Sequence, residues 1–357
     1  MVTHSPVWGP DKLGPDYEAA TIDLGVDPDG EGNVATTLVH YAPQQADDAA
    51  REPSAASSRP ALVWLHGMTD YFFHTHVAEH FAAQGYDFYA VDLRKCGRSR
   101  RSGQSWHYVS DLAFYFADLT AALDAIPNDE VIFIAHSTGG LIAPLWMDHL
   151  RRTDYERHQR LKGLILNSPW LDMMGVPGQV LTPLKPLLYA LGRIVPRTPL
   201  PGGNFTAYGE SVHQDFYGEW DFDLRFKPLA GHKKYVGWLA AVFHGFDAIH
   251  SGRIDAGVPI LTLQSTRTQL GRPYSDSANH ADVIIDVAQT RRWAKELSAH
   301  YTLHPIKGAR HDVFLSLPDP LQEAFNACDE WLPTVLDSAK PCLLYTSDAA
   351  DERPSVD

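Results

Sequence analysis

The chain has 357 residues, 44% hydrophobic and 21% charged, which excludes a disordered, collagenous or coiled-coil protein. Its net charge of −14 offers no basic field for a nucleic acid backbone, so nucleic acid is not an expected partner. Three scattered cysteines form neither a disulfide framework nor a zinc site and predict a reducing compartment. Without a signal pattern or an apolar run near the ~20 residues of a spanning helix, the chain is predicted to be cytoplasmic, with no stable membrane insertion.

The last residues of the chain do not resemble a natural protein segment. Cys342–Glu352 reads CLLYTSDAADE, which looks like the translated transposase adapter of short-read library preparation and points to a metagenome or transcript assembly. We therefore expect 342–357 to lie outside the fold. This tail holds four acids and one arginine, so the rest of the chain carries about −11 and the conclusion on nucleic acid stands.

The N-terminal part predicts a β-hairpin followed by a flexible loop. Tyr17–Leu24 and Asn33–Tyr41 alternate apolar and polar residues around the turn sequence Asp-Pro-Asp-Gly-Glu-Gly. Residues 44–60 are rich in Ala, Ser and Asp, which is typical of a flexible surface loop.

From Ala61 onward, short apolar runs typical of buried strands alternate with amphipathic stretches typical of helices. The predicted strands are Ala61–Leu65, Asp87–Asp92, Glu130–Ala135, Leu161–Asn167, Pro259–Gln264 and Tyr301–Ile306. The predicted helices are His76–Gln84, Val109–Ile126, Gly140–Arg151 and Val287–Ala299. This alternation predicts an α/β fold with a mostly parallel central sheet and helices on both faces.

Residues 170–257 interrupt the alternation with many Pro, Gly and aromatic residues. Because they lie between two predicted strands, we expect an inserted cap, with the core formed by 1–169 and 258–341. Trp170, Trp220 and Trp238 are candidates for lining a substrate site that takes an acyl chain or an aryl group. A small hydrophobic core within the cap explains the same residues equally well.

A sharp turn between a strand and a helix is predicted around Ser137. The strand Val131–Ala135 runs directly into His136-Ser137-Thr138-Gly139-Gly140, and the small residues Ala135 and Gly139 flank the serine. Such a turn presents a serine hydroxyl above the C-terminal edge of the sheet. The alternative is an ordinary turn with a serine at a helix N-cap.

A nucleophilic serine needs a base, and the base needs an orienting acid. His311 follows the last predicted strand directly, in a Gly-containing loop, and is the predicted base. Asp282 is the predicted acid, with Asp286 as the alternative. Asp286 precedes a predicted helix and has Gln289 three residues on, so a capping-box N-cap also explains it.

An oxyanion hole needs two backbone N–H donors aimed at the developing negative charge. Thr138, directly after the serine, is expected to supply one. Met68, after the strand end Trp64-Leu65-His66-Gly67, is expected to supply the other.

Together these motifs resemble the monoacylglycerol lipase and lysophospholipase branch of the α/β-hydrolases, the serine aminopeptidase S33 type, over about residues 61–336. The resemblance implies an α/β-hydrolase fold with a cap and supports the five site residues chosen above. The sequence departs from the family in Ala135, where a Gly is usual, and in an insertion at 265–280 before the acid. The matching motifs are Leu65-His66-Gly67, Asp92-Leu93-Arg94 with Gly97 and Ser99, His136-Ser137 with Gly139-Gly140, Ala281-Asp282 with Asp286, and Gly308-Ala309 with His311.

Three further clusters have both a functional and a structural interpretation. His74, His76 and His80 could hold a metal, but no carboxylate or Cys pattern completes a site, so a solvated or locally bonded helix face is predicted. The basic run at 92–101 suits an anionic head group or internal hydrogen bonds equally well. The acidic cluster Glu219, Asp221 and Asp223 suits the free amine of an aminopeptidase substrate or, more plainly, ion pairs with cap arginines.

The predicted function is that of a serine hydrolase without cofactor or metal, acting on small carboxylic esters. An aminopeptidase or amidase resembling the proline iminopeptidases is the alternative, and a non-catalytic binding protein is a third reading that the complete residue set disfavours. Because no long amphipathic, strongly apolar lid is visible, we expect esters of short or medium chain length.

Overall fold

The computed structural model describes residues 6–43, 59–176, 178–201 and 206–337. The adapter-like tail at 342–357 and nearly all of the predicted loop at 44–60 lie outside these residues. No helix within the described ranges is both long and apolar enough to cross a membrane.

Within the described residues, nine strands form one sheet in the order β1-β2-β3-β5-β4-β6-β7-β8-β9. The first three strands and the β3–β5 pair are antiparallel, and all other neighbours are parallel. The predicted hairpin and the predicted parallel sheet are therefore confirmed. The strands are β1 (Gly9–Asp11), β2 (Gly14–Val26), β3 (Asn33–Tyr41), β4 (Ala61–Leu65), β5 (Asp87–Asp92), β6 (Val131–His136), β7 (Leu161–Asn167), β8 (Ile260–Ser265) and β9 (Tyr301–Ile306).

Helices cover both faces of this sheet. Successive strand residues point to opposite sides, so each face packs its own apolar side chains against its own layer of helices. Val63 and Phe133 pack with helices α2, α3 and α7, whereas Trp64 and Ile134 pack with α1 and α9. Helix α2 begins later, and α8 ends earlier, than the sequence predicts. The helices are α1 (Thr75–Ala83), α2 (Phe114–Ala125), α3 (Gly139–Thr153), α4 (Tyr155–Gln159), α5 (Gly178–Ile194), α6 (Ala207–Val212), α7 (Val236–His250), α8 (Val287–Ala294) and α9 (Pro318–Asp337).

Helices α5, α6 and α7 occupy the predicted cap between β7 and β8. Trp238, Val242 and Phe246 of α7 are buried in the same hydrophobic cluster as α3 and the sheet. Helix α7 therefore packs as part of the core layer, although it lies inside the predicted cap. The division of the chain into core and cap at 170 and 257 stays a prediction.

Helix α5 corrects the expectation that the chain has no amphipathic, apolar lid. It extends over 17 residues and exposes one apolar side to solvent. Pro183 and Pro186 lie inside this helix. Prolines are unfavourable in helix interiors, so they mask the helical pattern in the sequence. The exposed apolar residues are Val180, Leu184, Leu187, Leu191 and Ile194, between 39% and 75% exposed.

The basic run after β5 is used internally. Arg94 Nε donates to Asp118 Oδ2 at 2.7 Å, and both side chains are buried. Lys95 lies 2.6 Å from a carboxylate oxygen of Asp27, and it is fully buried too. These pairs fix the turn that carries the run, so internal bonding explains its charge.

We predict that the pair formed by Asp118 on α2 is essential for stability. Asp118→Asn leaves the buried Arg94 without a charge partner, which should cost about 3–5 kcal/mol of unfolding free energy in urea at pH 8. The matched control on the same helix is Asp124→Asn, because Asp124 pairs with Arg157 at the surface. It should cost about 0–1 kcal/mol. Equal losses in the two variants would contradict this reading.

Candidate active site

The turn between β6 and α3 holds Ser137 in a left-handed backbone conformation with φ of 50°. Such a conformation costs a non-glycine residue on the order of 1–3 kcal/mol, so the surroundings must impose it. Ser137 N–H donates to the carbonyl of Asn167 at 3.0 Å, at the end of β7. A Cβ atom on Gly139 would lie 2.7 Å from the carbonyl oxygen of His66, which explains the glycine two residues after the serine.

Ser137, His311 and Asp282 form one continuous hydrogen-bonded chain. His311 Nε2 lies 3.0 Å from Ser137 Oγ, and His311 Nδ1 lies 2.9 Å from Asp282 Oδ2. The three residues are 8%, 3% and 0% exposed. This is the arrangement in which an imidazole can take a proton from a hydroxyl while a carboxylate fixes its orientation.

The insertion before Asp282 folds back onto the end of β8. Asp282 N–H donates to Arg267 C=O at 2.8 Å, and Gln269 N–H donates to Asp282 C=O at 2.7 Å. Asp282 Oδ1 accepts two further bonds, from the N–H groups of Ile284 and Ile285, both at 2.8 Å. The insertion thus closes on itself, and the other carboxylate oxygen is left for His311.

Asp286 has a different role. Its Oδ1 accepts from Ala288 N–H at 2.9 Å at the start of α8, so the predicted N-cap is confirmed. The reciprocal half of the capping box is not formed, because the Gln289 side chain donates instead to Met173 C=O.

Met68 and Thr138, the two predicted oxyanion donors, line the same small cavity. Neither N–H group has a hydrogen-bond partner within the described part of the chain. His66 orders the Met68 loop: its Nε2 accepts from Leu93 N–H at 3.0 Å. The proton must then be on Nδ1, which donates to the Gly67 carbonyl at 2.6 Å.

A small cavity of about 10 Å³, enough for one water molecule, lies beside these two residues. Trp238 lines it, and Trp170 packs against Trp238 with ring centroids 6.0 Å apart. Trp220 is elsewhere, which corrects the sequence expectation for this residue. Its indole donates to Leu315 C=O at 3.0 Å and stacks on His76, because the cap folds over α1 at this point.

Cys96 also lines this cavity. Burial raises the pKa of its thiol well above the usual value, mainly because the charged form loses its hydration. A protonated, buried thiol is inert, so Cys96 is not a competing nucleophile.

A second buried polar cluster supports the loop of His311. Asp312 is fully buried and accepts from His74 Nε2 at 2.9 Å and from Asn167 Nδ2 at 2.7 Å. Asn167 Oδ1 accepts from Val313 N–H at 3.1 Å. The ring of His136 lies 4.8 Å from that of His311 and completes the cluster. Asp312 and Asn167 thus connect the ends of β7 and β9.

His74 and His76 differ from the sequence interpretation as a solvated or locally bonded face, whereas His80 agrees with it, because it is partly exposed and lies 2.8 Å from the Gln84 side chain four residues on. His74 is fully buried against Asp312, and His76 is bonded to Phe314 C=O at 2.8 Å. Burial lowers the pKa of His76 to about 4. Among the described residues, no group of three His, Cys, Asp or Glu side chains could hold a metal ion.

Two of the three cap acids are engaged in ion pairs. Glu219 Oε2 accepts from the buried Arg310 at 2.7 Å, and Asp223 Oδ2 accepts from Arg225 at 2.6 Å. Because the partner of Glu219 lies next to His311 in the core, this pair ties the cap to the base loop.

Sequence reasoning missed the supporting roles of Asn167 and Asp312. Both carry a local signal: Asn167 ends a buried apolar strand, and Asp312 directly follows the predicted base. Polar residues at the carboxyl ends of neighbouring parallel strands meet at one edge of the sheet. The partner His74 has no such signal, because 238 residues separate it from Asp312.

We predict that Asp312 contributes to acid denaturation. Burial alone would raise the pKa of Asp312, but His136, His74 and Asn167 outweigh it and hold that pKa well below its usual range. The carboxyl therefore binds its proton more weakly in the folded chain than in the unfolded chain. Its stabilisation is complete above the unfolded pKa of ~4 and is lost as pH falls through and below that value.

Unfolding in urea between pH 6 and pH 3 measures this contribution. Asp312→Asn should flatten the decline of unfolding free energy below pH 4 by up to about 1.4 kcal/mol per pH unit. Asp215→Asn, at a carboxylate that is 71% exposed, should keep the wild-type slope. Parallel curves for wild type and Asp312→Asn would show that the cluster does not hold the carboxylate in this way.

Comparison with known proteins assigns the chain to a family. Residues 56–317 match the family model described as serine aminopeptidase, S33. A comparison with curated protein sequences finds no match.

Among solved structures, the fold is similar to that of three enzymes. For the monoacylglycerol lipase of Paleococcus ferrophilus, identity is 21% and the TM-score 0.56, covering 78% of this chain and 96% of that one. For a soluble variant of the monoglyceride lipase of Saccharomyces cerevisiae, identity is 15% and the TM-score 0.56, covering 94% of this chain and 97% of that one. For a carboxylesterase structure from Nitrososphaera gargenis, identity is 15% and the TM-score 0.52, covering 88% of this chain and 99% of that one. With the family model matching most of its length, the chain belongs to the serine aminopeptidase S33 family of hydrolases and has the α/β-hydrolase fold.

Proposed function

We propose that the protein hydrolyses carboxylic esters through an acyl-enzyme on Ser137. The observation that carries this proposal is the buried hydrogen-bonded chain from Asp282 through His311 to Ser137 at a strained turn. A hydroxyl outside such a chain is a weak nucleophile at neutral pH.

In the proposed reaction, His311 Nε2 takes the proton of Ser137 Oγ as this oxygen attacks the ester carbonyl carbon. The carbonyl oxygen becomes an oxyanion, which the N–H groups of Met68 and Thr138 stabilise by about 3–4 kcal/mol each, as in comparable sites. Asp282 stabilises the imidazolium that forms. His311 then gives its proton to the leaving alcohol, and the ester C–O bond breaks.

Water completes the reaction by attacking the acyl-enzyme. His311 takes a proton from this water, and the same two N–H groups stabilise the second oxyanion. When that intermediate collapses, His311 returns the proton to Ser137 Oγ, and the carboxylic acid leaves.

The charges of the cap favour esters over aminoacyl amides. An aminopeptidase needs a carboxylate for the free amine of its substrate, but Glu219 is paired with Arg310 and Asp223 with Arg225, and the third cap acid, Asp221, is exposed to solvent. The similar structures of a monoacylglycerol lipase and of a carboxylesterase agree with an ester substrate. Because α5 exposes an apolar side, the sequence argument for short acyl chains no longer holds. A panel of esters with graded acyl chain length measures the preferred length.

We predict that the wild type hydrolyses p-nitrophenyl esters from acetate to palmitate faster than aminoacyl anilides. Ser137→Ala should lower kcat for the best ester by about 10⁶-fold and abolish labelling by a fluorophosphonate probe, because the nucleophile is gone. Near-ultraviolet circular dichroism checks that the variant is folded. Labelling that persists in Ser137→Ala would refute the nucleophile, and faster cleavage of the anilides would favour an amidase.

A second prediction separates the two candidate acids. Asp282→Asn should lower kcat by ~10⁴-fold, because an amide cannot hold His311 in the tautomer that accepts the serine proton. Asp286→Asn should keep wild-type activity, because Asn caps a helix nearly as well as Asp. Both variants are assayed with the best ester of the panel. The reverse result would transfer the acid to Asp286.

A further inference from the structure

His107, in the segment between β5 and α2, is a buried histidine with one ring nitrogen unpaired. Its Nε2 atom has no hydrogen-bond partner among the described residues. Its backbone is left-handed, with φ of 45°, a conformation that is uncommon for a residue with a side chain. Buried polar atoms without a partner are rare in folded proteins, so this nitrogen calls for an explanation.

Neighbouring groups hold His107 in this conformation. Its N–H donates to Lys95 C=O at 3.0 Å, and its C=O accepts from the Tyr115 hydroxyl at 2.8 Å. Its ring packs edge-on against Trp238, with centroids 5.3 Å apart. The ring is thus fixed in place although Nε2 gains no bond there. Backbone strain that the surroundings impose in this way is concentrated at functional sites.

The one proton of the His107 ring lies on Nε2. Burial, together with the nearby charge of Lys234, lowers the pKa of His107 to about 3, so the ring is neutral. Nδ1 lies 3.4 Å from Thr69 Oγ1, and this oxygen accepts from His232 N–H at 3.4 Å. The Thr69 hydroxyl therefore donates its own proton to Nδ1, and Nε2–H is an unused donor.

Open space lies beside His107, in the small cavity that Met68 and Thr138 also line. Nδ1 is directed at Thr69, outside this lining, so Nε2 is the ring nitrogen left for the cavity. Thr138 Oγ1 is likewise buried without a partner in the described ranges. Since the cavity has room for one water-sized oxygen, an oxygen atom inside it lies against all three residues.

The proposed reaction creates such an oxygen. The oxyanion accepts from the N–H groups of Met68 and Thr138, and His107 borders the space that these two residues enclose. A donor that is fixed before the reaction needs no reorganisation when the negative charge develops. We propose that His107 Nε2–H is a third donor to the oxyanion and thus a catalytic residue, an inference that rests on the proposed ester hydrolysis.

A matched pair of amide variants tests the proposal. His107→Gln places an amide N–H as many bonds from Cβ as Nε2 of histidine, whereas the amide of His107→Asn is one bond shorter. His107→Asn should lower kcat for the best ester of the panel about 100-fold, with KM within about 2-fold, because the oxyanion forms only during the reaction. His107→Gln should stay within about 10-fold of the wild type. His107→Leu, which has no donor, should lose as much as His107→Asn.

A trifluoromethyl ketone that carries the acyl chain of this ester measures the same contact without turnover. Ser137 Oγ adds to its carbonyl carbon, the serine proton passes to His311, and the carbonyl oxygen becomes a bound oxyanion. The inhibition constant should rise in His107→Asn by about the factor by which kcat/KM falls, and by less than about 10-fold in His107→Gln. Asn tolerates a left-handed backbone, so the Tm of His107→Asn should stay close to that of the wild type.

Three results would overturn the role of His107. They are a wild-type kcat in His107→Asn and His107→Leu, an equal loss in the Gln and Asn variants, and a loss confined to esters of one acyl chain, since an oxyanion donor serves every ester. If the wild type binds the ketone but hydrolyses no ester of the panel, ester hydrolysis fails and the inhibition constants alone decide on His107. If it does neither, both proposals fail.

Discussion

The hydrogen bond between Asn167 and Asp312 is the contact on which the candidate site depends. Asn167 ends β7, and its carbonyl oxygen also accepts from Ser137 N–H. Asp312 follows His311 in the loop after β9. The bond thus joins the strand end that holds Ser137 to the loop that carries His311, and it fixes the nucleophile and the base relative to each other. A shift of about 1 Å between the loops would break the 3.0 Å contact from Ser137 Oγ to His311 Nε2.

Burial strengthens the hydrogen bond between Asn167 and Asp312. Asp312, Asn167 and His74 are all fully buried, so their hydrogen bonds do not compete with water. The same burial makes an unpaired group costly, which explains why each carboxylate oxygen of Asp312 has a donor. A buried carboxylate with both oxygens satisfied rigidifies the edge of the sheet.

Much of the fold could be predicted because local patterns determine it. The strands β3, β4, β5, β7 and β9 have the predicted bounds, since short apolar runs between turns identify buried strands. Strand β1 has only three residues, too few to show a periodicity. Helix α5 was missed because Pro183 and Pro186 contradict a helical pattern, which the structure nevertheless accommodates on an exposed surface.

The residues of the candidate site likewise include some that local sequence patterns indicate and others that only tertiary contacts determine. The sequence indicated Ser137 and His311 because each lies just after a strand, and the carboxyl ends of parallel strands share one edge. Asp282 comes only after the insertion at 265–280, so the sequence left Asp286 open as the alternative acid. It could not indicate His74 or His107, because their contacts join segments far apart in the chain. Nor could it separate the tryptophans: Trp238 reaches the cavity because α7 packs on the core, whereas Trp220 docks on α1. Tertiary packing alone decides those positions.

Several groups at this edge of the sheet are held in states that folding alone does not favour. Ser137 has a left-handed backbone, the N–H groups of Met68 and Thr138 have no partner within the described ranges, and Nε2 of His107 is buried unpaired there. Each costs the folded state free energy that surrounding contacts must offset. The two N–H groups would gain their missing partner from the carbonyl oxygen of the proposed ester substrate. At these two N–H groups, the local cost to the folded state and the proposed function therefore have one physical origin.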